Sequence, residues 1–145
     1  MWKRQALIVI LFVVALRLPF LFQPVQGDDI YYLYGGQHAQ IEPLHPKHTQ
    51  YAFQGDIVSM KGPPHPPFNV WYLGAILALT RDVYEAPFHL AYLPFSLMAA
   101  LSALAIARRY TERALLATLL FCTAPAFVVN GTSLESDLPL LGFWL

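Results

Sequence analysis

Residues 6–22 read ALIVILFVVALRLPFLF, an apolar run preceded by Lys3-Arg4 and interrupted only by Arg17 and Pro19. At roughly 17 residues it gives about 25 Å of helix, close to the shortest length that crosses a hydrocarbon core. A charged start and an apolar centre also fit a secretory leader. No small-x-small cleavage site follows Phe22, so the run reads as a retained signal anchor.

The remainder of the chain agrees with a membrane setting. Hydrophobic residues make up 57% and charged residues 12% of the 145 positions, far from an ordinary soluble domain. Net charge is zero and the basic residues are scattered, which argues against a nucleic-acid partner. The single cysteine, Cys122, lies in an apolar run; it forms neither an intrachain disulfide nor a cysteine metal site and is assigned to packing.

Residues 23–67 are polar and hold four of the five histidines, His38, His45, His48 and His65. Asp28 or Asp29 is placed to start a helix towards Gln40, with Ile30, Leu33 and Tyr34 on one face. The aromatic density there suits the headgroup zone. Residues 68–79 are apolar but only about 12 long, which suits an interfacial or re-entrant helix. A second span at 88–107 leaves Arg108, Arg109 and Arg113 on the same side as Lys3 and Arg4, as the positive-inside rule prefers. A third span at 114–129 returns outward. The run from Leu138 starts a fourth and stops after about eight residues, too few to cross. The expected architecture is therefore all-α: polytopic transmembrane helices with a long external loop, residues 23–87, carrying juxtamembrane helices, as the N-terminal part of a longer multi-span protein.

This topology puts Asp28, Asp29, His65, Glu135 and Asp137 on one side of the membrane. Ionisable groups near a bilayer are costly and tend to mark sites that handle polar substrates. The competing reading is structural. Asp28-Asp29 and Glu135/Asp137 also fit helix starts, and His65-Pro66-Pro67 fits a rigid entry into the next helix. His38, His45 and His48 invite a metal hypothesis, with His45 and His48 three apart, but Pro46 lies between those two and solvated loop histidines are the simpler expectation.

Taken in order, Arg17-Leu18-Pro19, Gly27-Asp28-Asp29-Ile30-Tyr31, His65-Pro66-Pro67-Phe68, Arg108-Arg109 and Ser136-Asp137-Leu138-Pro139-Leu140 resemble the N-terminal portion of the GT-C membrane glycosyltransferases. The closest subgroup is the protein mannosyltransferase and aminoarabinose transferase class, glycosyltransferase family 39 and its bacterial relatives. Three positions depart from that pattern. Asp29 stands where Glu is common, Phe68 where Leu is usual, and Pro64 where some relatives carry an acid.

The resemblance implies that the intact protein, of which this stretch corresponds to the N-terminal portion and is expected to be inactive alone, transfers a sugar with inversion from a polyprenyl-phosphate carrier among membrane lipids to an acceptor hydroxyl. A bacterial inner membrane is expected because no eukaryotic sorting signal is visible. It makes Asp28, Asp29 and Asp137 the catalytic candidates. Asp28 would be the general base, Asp29 its tuning or orienting neighbour, and Asp137 an orienting group at the facing helix end. Tyr31, His65 and Glu135 are the substrate-binding candidates. The leaving phosphate requires positive charge, and a divalent metal ion is a possible cofactor. The external cations in this stretch are Lys47, Lys61, Arg81 and Arg17. The alternative is a non-catalytic multi-span membrane protein, a transporter subunit or partner-binding fragment.

Overall fold

The computed structural model describes residues 2–62 and 65–145; Pro64, one of the departures noted above, lies outside them. Seven helices and one hairpin are present among these residues. Helix α1 (Trp2–Arg17) ends in a 3-10 turn at Leu18–Phe20, where Pro19 removes a backbone donor. Helix α2 (Asp29–Ala39) lies where Asp28-Asp29 led it to be expected. Strands β1 (Gln50–Phe53) and β2 (Asp56–Ser59) pair antiparallel across Gln54-Gly55. Both turn residues have positive φ, 52° and 95°, the arrangement whose twist matches a tight hairpin. Helix α3 (Phe68–Thr80) follows, then α4 (Glu85–Tyr110), α5 (Ala114–Cys122), α6 (Pro125–Val129), a 3-10 turn at Asn130–Thr132, and α7 (Asp137–Trp144).

This corrects the expected polytopic membrane fold. Among the described residues only α4 is long and apolar enough to cross a membrane. Helix α1 stops after 16 residues at Arg17, whose side chain turns into the protein. The expected third span is two pieces of 9 and 5 residues, because Pro125 has no N–H to continue α5 and biases Ala124 away from helix. Helix α7 starts at Asp137, where the fourth apolar segment is expected to begin. The expected external loop holds two helices and the hairpin, and α3 is packed in the core with Val70, Leu73 and Leu77 buried. The chain is mostly helical with a small sheet, so the all-α expectation also yields at β1 and β2.

Helix α4 is the hub, packing against α1, α5 and α7. Phe88, Tyr92, Phe95, Ala99, Ala100 and Leu104 form its buried side, and Val9 and Val13 of α1 are fully buried. Helices α2 and α3 meet backbone to backbone. A Cβ on Gly74 would lie 2.8 Å from the carbonyl oxygen of Gly36, with no side chain between them to give way. Gly74→Ala is therefore expected to force α2 away from α3 and lower stability by about 1–3 kcal/mol, read as a lower urea midpoint by far-UV circular dichroism. An unchanged midpoint would mean that the two helices do not touch there.

Candidate functional site

The first residue of α2 and the loop before α7 build the site together. Asp29 is 3% exposed, and its carboxylate is held at both oxygens. Oδ1 accepts from the Leu134 N–H at 2.6 Å, and Oδ2 accepts from the Gln26 N–H at 3.4 Å. Residue 134 is also held from its other side. The Leu134 carbonyl accepts from Asn69 Nδ2 of α3 at 2.8 Å and lies 2.9 Å from the Tyr92 hydroxyl of α4, which is itself 2.6 Å from Asn69 Oδ1. One residue, Leu134, thus ties three helices to the 133–136 loop. Buried polar groups satisfied in this way fix a unique geometry.

Asp28 is exposed and makes no capping bond to α2, so the simple helix-cap reading does not describe it. It shares an open cavity of about 340 Å³ with Asp29, Glu135, Gln23, Gln26 and Thr132. Burial pushes Asp29 above its ordinary value, opposed by the two N–H groups and by nearby His89. Glu135, half-buried, is also raised, first by burial and then by the charges of Asp137, Asp29 and Asp28.

Tyr31 and Tyr32 stand behind this acid cluster. The Tyr32 hydroxyl meets Ser136 Oγ at 3.1 Å, and the Tyr31 hydroxyl donates to the Met60 carbonyl at 3.3 Å. His65 is exposed and sits edge-on to both rings, with centroids 6.0 Å from Tyr31 and 5.5 Å from Tyr32. Five of the six candidate residues therefore gather around the N-terminus of α2. Asp137 diverges. It opens α7 and lines a separate apolar groove of about 480 Å³ with Phe121, Phe127 and Trp144, although its charge still reaches Glu135.

Arg17 is no external cation. It is buried and donates to Ser96 Oγ (3.1 Å), the Val128 carbonyl (3.1 Å) and the Phe127 carbonyl (2.9 Å), with its guanidinium over the Phe127 ring. Several site residues carry no motif: Gln23, Gln26, Asn69, Tyr92 and Thr132. Only Asn69, a polar residue inside an otherwise apolar helix, offered a sequence signal.

A raised Asp29 gives a pH prediction whose sign is opposite to that of a salt-bridged carboxylate. A group whose folded-state pKa exceeds its unfolded value adds stability below the unfolded value and loses it as pH climbs through the folded one. From about pH 3.8, the ordinary value, upward, the chain is expected to lose stability through this group. Asp29→Asn is expected to flatten that part of a pH series of urea unfolding midpoints. A slope equal to the parent's would remove Asp29 as its source.

No protein-family model, curated protein or solved structure matches the chain.

Proposed function

We propose that the acidic cavity belongs to a membrane-associated glycosyltransferase, one that moves a sugar from a polyprenyl-phosphate donor to an acceptor hydroxyl with inversion. The observation that carries this reading is the division between two adjacent carboxylates: Asp29 is buried and fixed by backbone N–H groups, while Asp28 stands exposed in an open cavity. A fixed acid beside a solvent-facing one suits a base that must be held in place yet meet a substrate. Asp29 is then a positioning residue.

In this reading Asp28 takes the proton of the acceptor hydroxyl as that oxygen bonds to the anomeric carbon. The carbon–phosphate oxygen bond breaks on the opposite face, and the electron pair leaves with the lipid phosphate. Glu135 lines the same cavity and is assigned to the polar groups of the acceptor, while His65, against the Tyr31 and Tyr32 rings, is assigned with Tyr31 to the sugar. Asp137, set apart, is assigned to orienting the lipid-bearing side.

A membrane setting is supported by α4 and by large apolar side chains left outside, among them Leu11 (60% exposed), Leu120 (62%) and Trp144 (87%). The proposed location is the bacterial inner membrane with the cavity facing outward. The test is transfer of labelled sugar from defined polyprenyl-phosphate sugars, in membranes containing the protein. Donor-dependent transfer is expected; its absence across the donor panel would overturn the assignment.

A further inference from the structure

The segment after α2 reads Glu42-Pro43-Leu44-His45-Pro46-Lys47-His48 and folds as two successive turns. The His45 N–H donates to the Glu42 carbonyl at 3.1 Å, and the His48 N–H donates to the His45 carbonyl at 3.0 Å. Each turn carries proline at its second position, where a fixed φ near −65° is wanted. Pro46, which in sequence argues against a shared ligand site, is the residue that closes the second turn. These two turns bring the ligand atoms of Glu42, His45 and His48 together.

Their ligand atoms lie within 4.8 Å of one another, and Glu42 Oε1 is already 2.9 Å from His45 Nδ1. The His45 and His48 rings stack with centroids 4.5 Å apart. Donor atoms in a zinc tetrahedron are separated by about 3.4 Å, given metal–ligand distances of about 2.1 Å, so small side-chain rotations suffice. A second observation points the same way. His38 Nε2 is buried and lies 3.4 Å from Glu42 Oε2. It stands behind the carboxylate, where an outer group orients a metal ligand.

We propose that Glu42, His45 and His48 bind one zinc ion, with His38 fixing the Glu42 carboxylate from behind. Two imidazoles and one carboxylate on a short segment form a three-ligand set that leaves a fourth position open. His48 also lines an open polar cleft of about 470 Å³ with Thr49, Gln50, Ser59 and Lys61, so water or an anionic ligand completes the sphere from that side. The Lys61 ammonium favours an anion there and disfavours a second cation. The site is separate from the acidic cavity and stands whether or not sugar transfer is found.

The test is zinc titration of the purified chain by isothermal calorimetry, with cobalt(II) as a spectroscopic substitute. Expected are one zinc per chain, a four-coordinate cobalt spectrum in the visible, and at least tenfold weaker binding in His45→Ala, His48→Ala and Glu42→Ala. His38→Ala is expected to weaken binding about 10–100-fold without changing the stoichiometry. No saturable zinc uptake, or uptake that survives His45→Ala/His48→Ala together, would overturn the site. The cobalt spectrum of the unaltered chain decides the matter without reliance on the folding of any variant, and six-coordinate cobalt would count against the proposal.

Discussion

Asp28→Asn is expected to lower glycosyl transfer by about 10²–10⁴-fold, the usual contribution of a general base, while leaving unfolding unchanged. The amide keeps the size and shape of the side chain but no longer takes a proton. Because Asp28 is exposed and makes no capping bond, the variant has little structural reason to unfold. Asp29→Asn is the informative contrast. It keeps one acceptor for the Leu134 N–H and sets an amide near the Gln26 N–H, so it disturbs position first and chemistry second. Rates measured against pH separate the two. Loss of the base removes the ascending limb of the profile, whereas a positioning defect lowers the rate and leaves the shape. Full activity in Asp28→Asn would assign the proton to another group, and Glu135 is the next carboxylate in the cavity.

Arg17→Met is expected to cost about 3–5 kcal/mol, the largest stability loss of any single substitution proposed for this chain. Methionine retains much of the apolar stem but leaves the Phe127 and Val128 carbonyls and Ser96 Oγ without the guanidinium donors. Each buried acceptor left without a partner costs about 1–3 kcal/mol. Arg17→Lys is expected to recover only part of the loss, because an ammonium does not reproduce the fork that meets two adjacent carbonyls. A Cβ added at Gly131 would fall on the same guanidinium, which shows how closely the loop is moulded to it. Thermal or urea unfolding of the two variants is the measurement. A shift below 1 kcal/mol in Arg17→Met would mean that water replaces the lost bonds.

How much of this was legible in the chain depends on what each signal measures. Composition located the apolar segments but not their continuity. A hydropathy window counts side chains, while a span requires an unbroken ladder of backbone hydrogen bonds, and Pro125 breaks that ladder in the middle of the third segment. The acidic pair with the tyrosines was legible as a group, because short-range spacing places Asp29, Tyr31 and Tyr32 on one helix start. The different fates of Asp28 and Asp29 were not. Burial of one and exposure of the other follow from a partner 105 residues away, the Leu134 N–H, and no local pattern encodes such a distant contact. Arg17 was misread for the same reason. Its three acceptors lie at 96, 127 and 128, and from sequence alone an arginine at the end of an apolar run looks like a charge meeting water. The histidine turns were hidden by proline, read as an interruption when its restricted φ is what folds each turn.

The bond between Asp29 and Leu134 also sets a schedule for biosynthesis. At ribosomal speeds of about 5–20 residues per second, on the order of 5–20 s separates the synthesis of the carboxylate from that of its partner amide. During that interval Asp29 has no Leu134 to hold it and stays hydrated, so the start of α2 has reason to remain open while α3 and α4 are still being made. Closure of the acidic cavity is therefore a late event in the life of the nascent chain, and a ribosome stalled before codon 134 would carry helices but no site.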